Sequence, residues 1–247
     1  MSEHALNPAA ARFDSFGGTH QGRVRPINED RFLSRPDHGV FIVADGMGGH
    51  SHGDIASSAI VQCVEDGLSH VPHAQKVRSV CDSLVRANTM IGDIARANGN
   101  IVIGSTIAGL SVTDAKFSVV WSGDSRVYIL RDGRIRQLST DHNEAEMLLR
   151  QGAITPEQAR EWPRKNVIVH AIGVSDEPHI EIAEGGLHRG DVFVLCTDGL
   201  TNHLADAEIR KIVMEHAAQP GCVELIRLAL ARGGTDNVTV VIAKCAG

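Results

Sequence analysis

Acidic residues stand beside short apolar runs at several places in this chain. Three of these runs lead into an aspartate that adjoins a glycine, at Asp45-Gly46, Gly123-Asp124 and Asp198-Gly199, and two begin just after an acid, at Glu29-Asp30 and at Asp236. Buried strands hold their ends rigidly, and glycine lets the backbone approach a ligand closely. If these ends converge, the carboxylates share one space and repel one another unless cations lie between them.

Oxygen ligands of this kind select particular cations. Carboxylate, carbonyl and water oxygens favour Mg²⁺ and Mn²⁺ over Zn²⁺. A converged cluster would suit a two-metal site that activates water for phosphoryl transfer. A single Asp-Gly after a strand is usually only a turn, and Asp132-Gly133, which lies between alternating strand residues, is interpreted as a hairpin turn without chemistry. The combination of acids therefore favours a two-metal site, whereas a single Asp-Gly pair would not.

Length and charge limit the classes of function. The 247 residues fit one large domain, and the 43% hydrophobic and 22% charged fractions are ordinary for a soluble globular protein. The net charge is −6, from 24 basic and 30 acidic residues, which argues against a nucleic-acid backbone as partner. Only 4% of residues are aromatic, which disfavours base stacking. We therefore expect no nucleic-acid partner.

The chain shows no pattern for export or membrane insertion. Met1 to Arg12 lacks a basic start followed by an apolar stretch, and no apolar run approaches the roughly 20 residues that cross a bilayer. The five cysteines form no Cys-x-x-Cys pair and lie in apolar runs, as free buried thiols in a reducing compartment would. These features predict a cytoplasmic protein without a membrane partner.

Short β-branched runs bounded by Gly, Asp or Asn predict strands. The predicted strands are 40–44, 101–112, 117–121, 127–130, 192–196 and 238–243. Apolar residues at three- and four-residue spacing predict two amphipathic helices, over about 55–64 and 77–95, and a second helical pair at 209–216 and 222–232.

The stretch from about 143 to 168 differs from the rest because it is polar and rich in arginine. Thr155-Pro156-Glu157-Gln158 predicts a helix start, with Thr155 as cap and Gln158 placed to complete a capping box. We interpret this stretch as a small helical flap inserted on the surface. The predicted organisation is an N-terminal tail at 1–12 and one domain at 13–247 that carries the flap.

The motifs as a set resemble the type 2C, metal-dependent serine/threonine protein phosphatases (the PPM family), and more closely their bacterial branch. The segment 22–30, Gly-Arg-Val-Arg-Pro-Ile-Asn-Glu-Asp, is similar to the family's first motif. Asp45-Gly46-Met47-Gly48-Gly49-His50, Gly123-Asp124-Ser125-Arg126, Asp198-Gly199 and the segment 234–239 follow in family order. The resemblance extends from about Phe13 to Ala243.

The resemblance assigns roles to individual residues. Asp45 matches the carboxylate that bridges two metals, and Gly46 the carbonyl that binds one of them. Asp198 and Asp236 match ligands of the first metal, and Glu29 matches an acid that serves the second through water. The remaining assignments are Asp30, an acid that orients this shell; Asp124, which with Asp198 matches a third metal site of bacterial relatives; and Arg25, the arginine that grips the substrate phosphate.

One difference between this chain and the family pattern concerns the proton donor. Eukaryotic members carry a histidine just after the Asp-Gly, and this chain has Met47, which cannot donate a proton. His50 is a candidate substitute, and a metal-bound water is the alternative. A second departure is His170, where relatives commonly have arginine.

The fold implied is α+β: a sandwich of two antiparallel β-sheets flanked by α-helix pairs, a four-layer αββα arrangement with a small helical flap. The function implied is hydrolysis of phosphoserine and phosphothreonine on proteins, by a hydroxide that bridges two Mn²⁺ or Mg²⁺ ions and attacks phosphorus in line. The expected partners are phosphorylated proteins, including a bacterial serine/threonine kinase and its substrates or a phosphorylated regulator of transcription or secretion, and the enzyme is expected to be a monomer.

Two rivals remain at this point. A non-catalytic phosphoprotein-binding module could use the same fold, although such a module has no need of the acids Glu29, Asp45, Asp198 and Asp236. A two-metal nuclease is disfavoured by the acidic charge.

Overall fold

The computed structural model describes residues 12–48, 52–69, 71–113 and 115–246. The strands in these ranges are β1 (Arg12–His20), β2 (Asp30–Arg35), β3 (Val40–Gly48), β4 (Ile103–Ser105), β5 (Ile107–Thr113), β6 (Lys116–Ser122), β7 (Arg126–Arg131), β8 (Arg134–Gln137), β9 (Glu181–Gly186), β10 (Val192–Cys196) and β11 (Val238–Ala246). The α-helices in the same ranges are α1 (Gly53–Leu68), α2 (Lys76–Ala97), α3 (Glu144–Arg150), α4 (Pro156–Arg160), α5 (Asp198–Thr201), α6 (Asp206–Glu215) and α7 (Ala218–Ala231).

The strands form two antiparallel sheets. One has the order β1-β11-β10-β7-β8, and the other has the order β2-β3-β5-β6-β9 with β4 paired to β3. The first and last strands of the chain are neighbours, because β1 pairs with β11 along its whole length. The two-residue turn at Asp132-Gly133 joins β7 to β8, and both turn residues have positive φ, so the predicted hairpin is confirmed.

The two sheets pack face to face, and each carries helices on its outer side. The cluster between the sheets is apolar and includes Phe41, Trp121 and Phe193. Helices α1 and α2 cover the second sheet in another cluster, and α6 and α7 cover the first in a third. The predicted four-layer αββα architecture is therefore confirmed.

Helix positions follow the predicted stripes. In α1 the buried row includes Ala56, Ile60 and Val64, as the spacing predicted, whereas Ile55 is exposed at the helix start. In α2 the buried face includes Leu84 and Asn88.

Three features of the sheets differ from the prediction. Strands β1 and β9 were not predicted, and in β9 the alternation of half-buried and exposed residues carries few β-branched side chains. The apolar run at 101–112 is two strands, broken at Thr106, because β4 pairs with the end of β3 and β5 with its beginning. Asp45 and Gly46 lie within β3 and not beyond its end, since β3 continues to Gly48 on its new partner.

The predicted flap region contains α3 and α4 and is closed at its base by an isolated bridge between Asn143 and Ile168. Thr155 and Gln158 form the predicted capping box at the start of α4. No helix in the described part of the chain is long and apolar enough to cross a membrane. Four of the five cysteines are buried, Cys81 is partly so, and all five are free.

Candidate active site

The predicted acids meet at one end of the sandwich. Asp30 begins β2 and lies opposite Asp45 of β3 in the antiparallel register. Asp124 follows β6, Asp198 begins α5 directly after β10 and Thr197, and Asp236 precedes β11. Strands from both sheets therefore deliver carboxylates to a shared region, which we call the acidic basin: Glu29, Asp30, Asp45, Asp124, Asp198 and Asp236.

Two glycines of the basin have a steric reason to be glycine. A Cβ on Gly46 would lie 1.9 Å from the Gly53 carbonyl oxygen, at the start of α1. A Cβ on Gly199 would lie 1.8 Å from the carbonyl oxygen of Asn237. Each Asp-Gly pair in the basin thus marks a close approach of two backbone segments, unlike the turn at Asp132-Gly133.

Asp45 is fixed by Thr106, the residue that separates β4 from β5. The Thr106 amide donates to the Asp45 carbonyl oxygen at 2.9 Å, and the Asp45 amide donates to the Thr106 hydroxyl at 3.2 Å. Loss of hydration, followed by the charges of Asp30 and Asp198, raises the pKa of the Asp45 carboxyl well above its usual range. A cation beside Asp45 would reverse this penalty.

Asp30 is the fully buried acid of the basin. Its Oδ2 accepts the hydroxyls of Thr197 at 2.9 Å and Thr239 at 2.7 Å, whereas its Oδ1 has no hydrogen-bond partner among the described residues. Burial raises the pKa of Asp30 to about 7, although the two hydroxyls oppose that shift. Asp30 therefore links β2 to β11 and to Thr197, the residue that follows β10.

Asp124 and Asp198 are neighbours on the flap side of the basin. Asp124 is 6% exposed, and its Oδ1 is buried without a hydrogen-bond partner in the described part of the chain. Burial and then the charge of Asp198 raise the pKa of Asp124 to about 8. The pKa of Asp198 is also raised, by burial and by Asp236, while Asn202 donates to its Oδ2 at 3.0 Å.

Glu29 is held against the start of α1. The Gly53 amide donates to Glu29 Oε1 at 3.0 Å, and the Glu29 amide donates to the side-chain oxygen of Asn237 at 2.8 Å. Asn237 is 5% exposed, and its amide group also donates to the carbonyls of Gln21 and Ile27. Asn237 thereby ties the 21–29 segment to the start of β11.

Arg25 lies at the mouth of the basin. Its guanidinium donates to Asp236 Oδ2 at 2.6 Å, and its side chain is 51% exposed. This contact, reinforced by Asp45 and Glu29, raises the pKa of Arg25. A half-exposed guanidinium fixed at the edge of an acidic site can reach an anion arriving from solvent.

The basin fits hard divalent cations in its chemistry. Several partly or fully buried carboxylates share it with raised pKa values, and two of them have buried oxygens without a partner in the described residues. No three of the described basin acids have carboxylate oxygens within 4.8 Å of one another. The basin is thus open rather than a tight cage, and Mg²⁺ and Mn²⁺ sites commonly keep waters for the remaining ligands.

A cleft of about 460 Å³ leads from Asp124 and Asp198 to the flap helices. Arg126 lies on its wall and is held by a bidentate contact to Asp141 at 2.6–3.1 Å.

Four cationic side chains of the flap region have partners within the chain. Arg150 pairs with Glu146 and Glu181, Arg160 with Glu157, and Arg164 with Glu144. Lys165 donates to the carbonyl of Arg160.

His50 lies outside the described residues, so its predicted role as proton donor stays a prediction. Met47 is in β3 and pairs with Gly104 of β4.

Sequence reasoning missed the polar partners of the acids. For Thr106, the sequence indicated only that the apolar run 101–112 is too long for one strand. Thr197 and Asn237 are next to predicted acids in the sequence, and this was the one indication that they could be polar partners of the site. Thr239 and Asn202 could be recognised only from the packed structure.

Comparisons with known proteins show which family this chain resembles. The model of the family described as Protein phosphatase 2C matches residues 17–224. A serine/threonine phosphatase, stp, of Listeria innocua is 31% identical over 235 residues, covering 92% of this chain and 93% of that protein. PppA of Pseudomonas aeruginosa, described as a key regulatory component of T6SS, is 33% identical with a TM-score of 0.85, and 95% of this chain and 98% of that one are covered.

A third relative was solved with metal. The catalytic domain of the serine/threonine protein phosphatase PstP, in complex with 2 manganese ions, is 28% identical with a TM-score of 0.85, covering 94% of this chain and 98% of that one. The family model and the fold agree along almost the whole described chain. The chain belongs to the protein phosphatase 2C family.

Proposed function

We propose that this protein is a metal-dependent serine/threonine protein phosphatase of a bacterium, with the acidic basin as its catalytic centre. The observation that carries the proposal is the basin itself: carboxylates from both sheets surround a space that needs cations, and Arg25 stands at its mouth. Family membership and bacterial relatives that are serine/threonine phosphatases support the same activity.

Asp45, Asp198 and Asp236 would hold the first cation, and Glu29, Asp45 and the Gly46 carbonyl the second. Asp124 with Asp198 would form a third, weaker site. Two Mn²⁺ or Mg²⁺ ions, when bound, supply Lewis acidity that makes water nucleophilic and neutralises phosphate charge. PstP with 2 manganese ions supports the choice of metal and the count.

The chain's own residues orient the reaction. Arg25 would hold two phosphate oxygens, so that phosphorus faces the basin for in-line attack. Because Arg25 bonds Asp236 at 2.6 Å, the phosphate would be gripped directly beside the acids. Asp30, held by the hydroxyls of Thr197 and Thr239, would support Asp45 from below. Because Asp30 is fully buried, it would not touch the phosphate.

The leaving hydroxyl needs a proton, and His50 is our proposed donor. Met47 has a thioether in the place of the family's histidine and cannot supply one. A His50→Ala variant with an unchanged rate on phosphothreonine and an unchanged pH profile would return that role to water.

Phosphorylated proteins are the proposed substrates, among them a serine/threonine kinase and its targets in the cytoplasm. The open cleft between the basin and the flap has room for a polypeptide around the phosphorylated residue. We propose that the enzyme acts as a monomer, since one chain supplies every residue of the basin.

A substrate panel tests the assignment. At saturating Mn²⁺ we expect release of phosphate from phosphoserine and phosphothreonine peptides and from para-nitrophenyl phosphate, and no cleavage of DNA or RNA. Binding of phosphopeptides without phosphate release would instead favour the non-catalytic module. Asp45→Asn serves as the inactive control, and cleavage of nucleic acid that it abolishes would favour the nuclease.

A further inference from the structure

A second group of metal-ligand side chains lies behind the Gly123-Asp124 turn. His142, His179 and Glu181 line a cavity of about 300 Å³ between flap helix α3 and the start of β9. Among the described residues, they are the only three His, Cys, Asp or Glu side chains whose ligand atoms all lie within 4.8 Å of one another. None of them belongs to the acidic basin.

The spacing of the atoms suits a small tetrahedral cation. His142 Nε2 and His179 Nε2 lie 3.3 Å and 3.5 Å from the same Glu181 oxygen. Zinc bonds to histidine nitrogen and carboxylate oxygen are about 2.0–2.2 Å long, which places tetrahedral ligands about 3.4 Å apart. The group therefore needs little movement to become three ligands of one ion.

His142 points a buried nitrogen into this group. Its side chain is 4% exposed, and its Nε2, although 3.3 Å from Glu181, forms no well-aligned hydrogen bond within the described residues. Burial lowers the pKa of His142, which favours the neutral ring that a metal ligand requires. His170, the departure noted in the sequence, stacks on His179 with ring centroids 4.1 Å apart and fixes the orientation of that ring.

We propose that His142, His179 and Glu181 bind a transition-metal cation of the Zn²⁺ type, with the cavity leaving the fourth position to water. Two histidines and one glutamate are a ligand set that zinc accepts, whereas the all-oxygen basin selects Mg²⁺ or Mn²⁺. One protein thus carries two sites of different cation preference, side by side.

Arg150 is the competitor for Glu181. Its guanidinium lies 3.5 Å from Glu181 and 3.5 Å from Glu146 on its own helix. The side chain is 49% exposed, so it can keep Glu146 and release Glu181 when a cation arrives.

Cation binding at this site would affect the position of Asp124 through one hydrogen bond. The Gly123 amide donates to His142 Nδ1 at 3.2 Å, so the neutral ring carries its proton on Nε2. A cation at Nε2 displaces that proton, which moves to Nδ1, and the Gly123 amide then loses its acceptor. Because Gly123 precedes Asp124, cation binding loosens the turn that presents Asp124 to the basin and should lower activity.

The binding itself is tested with Co²⁺, whose tetrahedral complexes absorb visible light far more strongly than six-coordinate ones. With the basin saturated by Mg²⁺, we expect one equivalent of Co²⁺ to give the intense tetrahedral bands, and Zn²⁺ to abolish them. His179→Ala and Glu181→Gln should each weaken this binding at least tenfold, while His188→Ala, an exposed histidine outside the cavity, should not. Circular dichroism and melting verify that each variant is folded.

Absent tetrahedral bands in the parent protein, or bands that persist in both cavity variants, would overturn the site. This readout does not depend on phosphatase activity, and only the link to Asp124 rests on the proposed function. For that link, Zn²⁺ should inhibit the Mn²⁺-loaded parent more strongly than either cavity variant. Equal inhibition of all three would overturn it.

Discussion

At the scale of single residues, the basin places acids where their charge is unfavourable for the metal-free protein. Asp30 and Asp124 are buried with raised pKa values, and each leaves one carboxylate oxygen without a partner in the described residues. Buried polar groups are normally paired, so such exceptions need a reason. A cation held by Asp124 and Asp198 would supply one for Asp124. Asp45 would hold both catalytic cations, so it is the residue on which activity should depend most.

Asp45→Asn removes a charge from the centre of the basin with little change in shape. We expect turnover of a phosphothreonine peptide at saturating Mn²⁺ to fall more than about a hundredfold, because even residues that only support metal ligands commonly cost 10–100-fold. Asp132→Asn, in the β7–β8 turn, is the matched control and should keep parental turnover. Activity of Asp45→Asn within threefold of the parent would remove Asp45 from the catalytic centre.

Arg25→Ala should raise the KM for phosphopeptides and lower kcat, because the guanidinium at the basin mouth would no longer orient the phosphate. Since the side chain is half exposed, we expect a loss of about tenfold or more in kcat/KM, equivalent to ~1.4 kcal/mol of transition-state stabilisation. Arg23→Ala, two residues away, is the control. Equal kinetics of both variants would make Arg25 an ordinary surface arginine.

Residue types and their order were sufficient to predict that these acids and their neighbouring glycines come together in the folded chain, and their roles as metal ligands stay a prediction. They did not reveal why each acid stays in place, because hydroxyls and amides reach it from elements distant in sequence. Thr239 lies 209 residues from Asp30, for example, and no local pattern marks such a pair.

At the scale of elements, strand positions were predictable where β-branched runs were dense, and the helical stripes were predictable from spacing. Strand β9 and the break at Thr106 were not predicted, because both depend on which strand lies alongside. The same dependence explains Asp45, which the sequence suggested at a strand end. Strand β3 exchanges its neighbour there, from β5 to β4, and so remains a strand.

Gly199→Ala tests whether the approach of α5 to β11 sets the basin. The added Cβ would lie 1.8 Å from the Asn237 carbonyl oxygen, so the segments that carry Asp198 and Asp236 must separate. Overpacking of this kind costs about 1–3 kcal/mol, which corresponds to a fall in Tm of roughly 2–12 °C. Gly186→Ala, whose nearest heavy atom would be 3.8 Å away, is the control.

We also expect Gly199→Ala to bind Mn²⁺ more weakly in a calorimetric titration. Parental Tm and parental Mn²⁺ affinity together would show that this contact does not shape the basin.

At the scale of the whole molecule, the large core and the basin have opposite effects on stability. Three apolar clusters support a fold that needs no metal to form, whereas the crowded acids oppose it. Metal at a hundred times its dissociation constant stabilises by about 2.7 kcal/mol per site, or roughly 5–11 °C in Tm. We therefore expect a folded metal-free protein whose Tm rises with Mn²⁺ or Mg²⁺.

The metal-free protein should also lose stability as pH rises. Asp30 and Asp124 titrate near 7 and 8 in the folded state and near 4 when unfolded, so between about pH 4 and 8 the folded state binds more protons. The free energy of unfolding contributed by these acids therefore falls across that window.

The pKa values of His142 and His170 are lowered by folding, so these two histidines make the free energy of unfolding rise with pH. Both histidines are present in the parent and in the variant, so their effect cancels in the comparison. Melts in chelator at pH 5.5 and 8.0 should consequently show a steeper decline in the parent than in Asp124→Asn, and saturating Mn²⁺ should remove the difference. An identical pH dependence of both proteins in chelator would contradict this electrostatic account.

The central claim is that the acidic basin works by holding divalent cations for phosphate ester hydrolysis. Its most direct test is the initial rate of phosphate release from a phosphothreonine peptide, measured against free Mn²⁺ from chelator to saturation. We predict a background rate in chelator and a saturable rise of more than about a hundredfold, of the size expected when a catalytic metal is lost. A rate in chelator within threefold of the saturated rate would contradict the account.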